Sequence, residues 1–307
     1  MPLPISAIIP TADRPDALAT CLATLSQQTT PPVEIVVADA SASDDTRAFC
    51  AGTTVAGARV QYLRASSRGA AVQRSEGLDR ASQPFVLFVD DDVELEVDCV
   101  ARLWAAIQSD TRVGGVSSML VNQRYRPPGP LNRWVYRIAA GERVPFPAGR
   151  CLGPAVTVFP SDRDDLPEIN PVEWLNTTCT LYRRSALPSP LFPAHFHGYS
   201  LGEDVHLSLS VGKRWRLVNA RTARVFHRSR SGPHKPGPRA MAAMSTVNRH
   251  YLMTRTLGRT AAADYARFTL VELADIVGSF RTVEGVRRLP SIVAGKLDAV
   301  ARIVASR

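Results

Sequence analysis

Short apolar runs alternate with helically spaced leucines along the N-terminal third of the chain. Ile5 to Pro10, Val33 to Ala38 and Phe85 to Val89 are almost unbroken in apolar character, and Val60 to Leu63 is a shorter run of the same kind. Such runs, rich in Val, Ile and Phe, predict strands covered on both faces, as in a parallel sheet. Between the first two, Leu18, Leu22 and Leu25 recur at helical spacing, with Asp16 near the start and Pro31-Pro32 closing the segment. Gly69 to Leu78 reads as the N-terminal part of a second helix packed close to the sheet. The order strand, helix, strand, then strand, helix, strand predicts right-handed crossovers and an α/β, doubly wound, mostly parallel sheet flanked by helices.

Further along, Val100 to Ser109 carries Leu103, Trp104 and Ile107 on one helical face, and Val113 to Val121 reads as another strand. Asn122 to Arg150, rich in Pro, Arg and Gly, reads as a long connection. Leu207, Leu209 and Val211 mark a helix whose first turn holds Glu203 and Asp204. Arg216 to Asn219 and Ala223 to His227 read as two short strands, and Asn248 to Arg255 as a closing helix. Two apolar helical patterns end the chain, Ala261 to Phe280 and Val283 to Val304, the second with Arg and Lys interleaved. A basic amphipathic helix can lie on an anionic bilayer. The same pattern also suits a helical hairpin packed on the domain or on a second subunit.

Composition narrows the class. Hydrophobic residues make up 45% and charged residues 21% of the 307 residues, so a folded chain rather than a disordered one is expected. The formal charge of +9, mostly arginine, suits an acidic partner such as a nucleotide, an anionic lipid surface or a nucleic acid. The five cysteines are scattered and form no C-x-x-C pair, as expected of reduced, packed thiols in a cytoplasmic protein. Met1-Pro-Leu-Pro runs into the first strand without a basic leader or cleavage site, so no secretory signal is expected. No window approaches the roughly 18 uninterrupted apolar residues of a spanning helix. The expected location is the cytoplasm, or the inner face of the cell membrane if the terminal helices bind it.

The chemistry concentrates where Phe85-Val-Leu-Phe-Val runs into Asp90, Asp91 and Asp92. In open α/β sheets the ligand crevice lies beyond the carboxyl ends of the strands, which puts this acidic tip at its rim. Adjacent carboxylates repel unless a cation or strong donors neutralise them, and a hard divalent ion suits oxygen ligands held alongside substrate phosphates. Asp39 ends the second strand, placed either to accept hydrogen bonds from a ribose or base or to cap a turn. Arg68, Gly69 and Arg74 sit at a predicted helix N-terminus, where phosphates bind readily.

The series Ile8-Ile9-Pro10-Thr11 with Arg14, Val36-Val37-Ala38-Asp39, Gly69-x4-Arg74-x2-Gly77 and Phe88-Val89-Asp90-Asp91-Asp92 resembles the nucleotide-sugar-binding half of family 2 glycosyltransferases, which have the GT-A fold. Ser75 stands where that family often has asparagine. The resemblance implies that Asp90 and Asp92 bind Mg2+ or Mn2+. It also implies that Pro10, Thr11, Arg14, Asp39, Arg68, Gly69, Arg74, Asp90 and Asp91 contact a nucleoside-diphosphate sugar. His227 falls where many GT-A enzymes place a histidine on the metal or diphosphate.

The Glu203-Asp204 pair resembles the one that supplies the catalytic base of inverting members. It implies Asp204 as base and Glu203 as a hydrogen-bonding partner of the acceptor. Trp174 and Asn176 are acceptor candidates, Asn176 standing where glycine is often found, and Trp174 equally reads as a packed core residue. The chain is then expected to divide into a catalytic domain, 1–258, with a donor half (1–112) and an acceptor half (113–258), and a C-terminal amphipathic helical extension, 259–307. A glycan or lipid-linked acceptor is implied, nucleic acid is not, and a homo-oligomer stays open. Arg228, Arg230 and Lys235, in a segment rich in Ser, Gly and Pro, read as a basic flap or as a plain solvated loop. Two other readings remain: a nucleotidyltransferase, which normally shows a glycine- and lysine-rich signature that Thr11 to Pro15 does not offer, and a noncatalytic sugar-nucleotide-binding scaffold.

Overall fold

A computed structural model describes residues 2–123, 125, 127, 129–141, 147–229 and 235–305, without the side chains of residues 131 and 132. In chain order the elements are β1 (Leu3–Thr11), α1 (Pro15–Ser26), β2 (Pro32–Asp39), α2 (Asp45–Ala51), β3 (Arg59–Arg64), α3 (Ala70–Arg80), β4 (Phe85–Val89) and β5 (Val93–Leu95). There follow α4 (Cys99–Gln108), β6 (Val113–Leu120), α5 (Pro130–Ala140), β7 (Cys151–Leu152), β8 (Val156–Thr157), β9 (Ile169–Val172) and β10 (Cys179–Arg183). The chain ends with α6 (Glu203–Val211), β11 (Arg216–His227), α7 (Pro238–Tyr251), α8 (Ala262–Gly278) and α9 (Val283–Ala305). They fall into two compact units, Met1–Tyr125 with Phe159–Arg230, and Arg126–Val158 with Ser231–Arg307.

The first unit is built on one mixed sheet in the order β3-β2-β1-β4-β10-β6-β11-β5, with β9 also paired to β11. β3, β2, β1 and β4 run parallel, as the apolar runs predict. β10 lies antiparallel between β4 and β6, and β11 runs parallel to β6. The register places Thr11 opposite Asp39 and Val89 opposite Cys179, so the tips of β1, β2 and β4 line up along one edge of the sheet. The α/β fold and its mostly parallel sheet are thus as the residue pattern predicts. All five cysteines are buried and none forms a disulfide among the described residues.

Helix α3 holds its place through a glycine. A Cβ on Gly77 would lie 2.5 Å from Cγ2 of Ile8 on β1, so only a residue without a side chain allows this helix to approach the sheet so closely. Replacing it with valine adds bulk against a β-branched core residue and has no helix-propensity gain large enough to offset it. Gly77→Val is expected to lower stability by about 2–3 kcal/mol, read as a lower urea midpoint at unchanged slope.

Two expectations are corrected. The connection 122–150 is not wholly irregular, because it contains helix α5. Its start and stop signals are present in the sequence, with Pro130 in the first turn and Gly141 just past the end in the left-handed region at φ 76°. The flanking Pro- and Arg-rich composition obscured them. Arg216 to Asn219 and Ala223 to His227 are not two strands but halves of β11, whose pairing shifts between Asn219 and Arg224. β9 covers the first half and β5 the second, so the strand changes partner without ending.

The second unit is largely helical. α7 packs along α9 so closely that a Cβ on Gly295 would meet the Arg239 carbonyl at 2.2 Å. The buried Glu272 of α8 is neutralised by Arg249 and Lys296 and accepts a bond from Thr246 Oγ1 at 2.6 Å. Asp298 of α9 pairs with Arg239 of α7 at 2.7 Å. No helix among the described residues is long and apolar enough to cross a membrane.

Candidate active site

The three aspartates after β4 divide the work among themselves. Asp91 is fully buried, accepts a bond from Thr11 Oγ1 at 2.6 Å and pairs with Arg14 Nη2. Burial outweighs the nearby arginine and pushes its carboxyl up to about 7. Asp92 accepts from Arg14 Nη1 at 2.9 Å and lies 3.0 Å from His227 Nε2. Burial works against ionising Asp92, yet the bonds from His227 and Arg14 hold its carboxyl below the usual range. Asp90 accepts from Arg74 Nη2 at 2.5 Å, and its backbone N–H donates to the Thr178 carbonyl at 2.9 Å.

Asp90, Asp92 and His227 form a potential cation site. One ligand atom from each lies within 4.8 Å of the others. Two carboxylate oxygens and an imidazole nitrogen are a donor set that suits Mg2+ or Mn2+. His227 is held by β11 and by its neighbours: its backbone N–H reaches Asn122 Oδ1 at 3.2 Å, and its Nδ1 lies 3.1 Å from Gln123 Nε2.

Arg74 joins this acidic tip to the second one. Arg74 is 2% exposed, and its guanidinium donates to Asp90 at 2.5 Å and, across 129 residues of sequence, to Glu203 Oε1 at 3.1 Å. The two carboxylate sites that the sequence separates by more than a hundred positions therefore share one buried cation. Glu203 opens helix α6 and is buried, while Asp204 beside it keeps partial exposure. Burial raises the carboxyl pKa of both, and the negative charge of Asp204 raises that of Glu203 further.

The remaining candidates are placed as follows. Pro10 and Thr11 end β1 and are buried. Asp39 is fully buried and accepts from Ser41 N at 2.9 Å, from Ser41 Oγ and from Tyr62 OH at 2.9 Å, with Arg64 3.5 Å away. Arg68 pairs with Asp13 on the loop after β1. Gly69 has φ 150°, and a Cβ there would lie 2.6 Å from the Gly198 carbonyl, so the backbones before α3 and before Glu203 pass in direct contact. Trp174 is 5% exposed, with its ring 5.6 Å from Phe159, a packing position. Asn176 is buried, and its Oδ1 lacks a hydrogen-bond partner among the described residues. Of the basic flap, Arg228 pairs with Glu94, whereas Arg230 and residues 231–234 lie outside the described residues.

Sequence reasoning missed Gln73. Its Nε2 donates to the Thr11 carbonyl at 2.7 Å and to the Ala38 carbonyl at 2.6 Å, so one amide satisfies the tips of two strands. A polar residue one position before Arg74, on the face that packs against the sheet, was the available signal.

A mixed α/β sheet with an acidic strand tip, a histidine and a second carboxylate pair at one edge defines a GT-A fold. The chain belongs to glycosyl transferase family 2, which its residues 6–187 match, more than half of its length. It is 33% identical over 93 residues to GalNAc(5)-diNAcBac-PP-undecaprenol beta-1,3-glucosyltransferase of Campylobacter jejuni, an alignment covering 30% of each protein. It is 31% identical over 117 residues to glycosyltransferase GlyA of Streptococcus pneumoniae, covering 37% of this chain and 17% of that one. The chain thus spans less than a third of the length of either curated relative. Its fold resembles that of mannosyltransferase PcManGT from Pyrobaculum calidifontis, solved in complex with GDP-Man and Mn2+. The TM-score is 0.54 at 16% identity, covering 98% of this chain and 77% of that one. At that identity the likeness concerns the fold alone. Glu203, Asp204 and His227 lie beyond the family match, and geometry alone brings them to the site.

Proposed function

We propose that this chain is a metal-dependent inverting glycosyltransferase. It would move a sugar from a nucleoside-diphosphate donor to a hydroxyl of a glycan or lipid-linked acceptor, in the synthesis of a cell-surface polysaccharide or glycolipid. The observation that carries the reading is Arg74, whose single guanidinium holds the carboxylate that would bind a cation and the one that would meet an acceptor. Asp90, Asp92 and His227 would hold Mg2+ or Mn2+. When bound, such an ion offsets the negative charge that builds on a departing nucleoside diphosphate.

The other steps fall to the chain itself. The edge formed by Pro10, Thr11, Arg14 and the Arg68-Gly69 turn receives the donor, and Arg14 and Arg74 hold the aspartates in place. Asp204 takes the acceptor's proton as its oxygen attacks the sugar carbon. Glu203, fixed by Arg74, orients the acceptor. The acceptor reading follows the C. jejuni relative, whose name specifies a lipid-linked glycan. With Trp174 in a packing position, it rests on Glu203, and on Asn176 through its buried Oδ1, which has no hydrogen-bond partner among the described residues.

A thermal-shift panel of UDP-, GDP- and dTDP-sugars with and without Mn2+ tests the class. One nucleotide is expected to stabilise the protein only when Mn2+ is present, by about 2.7 kcal/mol at a hundredfold excess over Kd. His227→Ala should weaken that Mn2+ requirement. A flat response to every donor in both conditions would remove the reading.

A further inference from the structure

The net positive charge of the chain is confined to one of its two units. In Arg126–Val158 with Ser231–Arg307, lysine and arginine outnumber aspartate and glutamate 17 to 6, whereas in the rest of the chain they stand at 20 to 22. The whole formal charge of +9 is therefore the balance of a strongly basic helical unit and a faintly acidic sheet unit.

The same basic unit carries a large exposed apolar stripe. Helix α8 turns Phe268 and Val271 inward and leaves Leu273 and Val277 on the outside. At the turn into α9, Phe280 is 60% and Val283 72% exposed. Along α9, Gly295 and Ala299 are buried, while Leu297 at 65%, Val300 and Val304 are exposed at helical spacing. Isolated surface apolar residues are ordinary, but a stripe that follows two consecutive helices marks an interaction face. Arg281, Arg287, Arg288 and Arg302 are exposed on the same segments.

We propose that this face docks on the surface of an anionic phospholipid bilayer, with the apolar stripe of α8 and α9 seated among the acyl chains near the headgroups. Apolar burial and attraction of basic side chains to anionic lipid add together in that setting. Charge decides against a second copy of the chain, because pairing this face with itself would bring two strongly basic units together. The inference is independent of the sugar-transfer reading, since it involves none of the residues assigned to transfer.

Co-sedimentation of the full chain with vesicles of phosphatidylcholine, with and without phosphatidylglycerol, tests it. The protein should pellet with the anionic vesicles, stay in solution with the neutral ones, and release as salt rises. The triple variant Phe280→Glu, Val283→Glu, Leu297→Glu should bind at least tenfold more weakly with its circular dichroism and Tm unchanged. Arg287→Gln with Arg302→Gln should reduce binding by a smaller factor and flatten the salt dependence. Absence of binding to anionic vesicles, or equal binding by the triple variant, would overturn the proposal. A concentration-dependent dimer that the triple variant abolishes, without vesicle binding, would assign the face to a second copy and overturn it as well.

Discussion

Asp204→Asn is expected to slow sugar transfer by roughly 10^2- to 10^4-fold, the range that a positioned general base contributes. Nucleotide binding in the presence of Mn2+ should stay intact, because Asp204 lies on α6, its Oδ1 accepts from Val205 N–H, and it is not one of the Asp90, Asp92 and His227 group. The amide keeps the size and accepts the Val205 N–H bond at 2.8 Å through its oxygen, so the loss reports proton transfer rather than folding. The pH profile gives a second readout. A base works only when ionised, and burial raises the Asp204 carboxyl above its ordinary value of about 4. Activity should therefore be low at acid pH and rise as pH increases through a midpoint above the usual carboxylate range. kcat/KM measured against pH should show that acid limb in the native protein and lose it in Asp204→Asn. A full rate in the variant, with the limb unchanged, would assign the proton transfer to another group.

Arg74→Met is expected to cost about 3–5 kcal/mol of stability, the range for removing one partner of a buried charged network. The side chain is close in length, so the change is electrical rather than a cavity. It leaves Asp90 and the buried Glu203 without their shared cation. Urea unfolding should show the loss, and the second variant Glu203→Gln in that background should recover part of it, because one uncompensated charge is then gone. Mn2+ should also recover part, if it offsets Asp90. Since Arg74 lowers the carboxyl pKa of both Glu203 and Asp204, its removal should move the acid limb of any residual activity further up in pH. Arg74→Lys should not restore the native state: one ammonium cannot reproduce two guanidinium bonds in different directions. Unchanged stability in Arg74→Met would mean that the two acidic sites are held together by something else.

The parallel half of the sheet was legible because a strand buried on both faces must be apolar throughout. β1, β2 and β4 are of that kind. α1 was legible because its core face repeats at helical spacing through Leu18, Leu22 and Leu25. The antiparallel β10 was harder to read: Cys179-Thr-Leu-Tyr-Arg183 is short and mixed, and its place between β4 and β6 depends on partners far away in the chain. The same holds for β11, whose unity comes from changing partners along its length.

The acidic tip was legible as a cluster, since three aspartates after an apolar run are conspicuous in any single sequence. Their separate tasks were not. The turn between β4 and β5, together with Thr11 and Arg14 at the neighbouring tip, makes Asp91 a buried support and leaves Asp90 and Asp92 beside His227. Arg74 illustrates the same limit, reading in sequence as a phosphate-binding residue and lying in the structure between two carboxylates.

The sequence by itself determined the element types, the sheet class and the chemical kinds of residue available, because periodicity and apolar character act within a few positions of each other. Only the tertiary structure decided which carboxylate is buried, which lie beside His227, and that one arginine joins Asp90 to Glu203. Those properties depend on distance and desolvation, which are set by strands and helices that are close in space and remote along the chain.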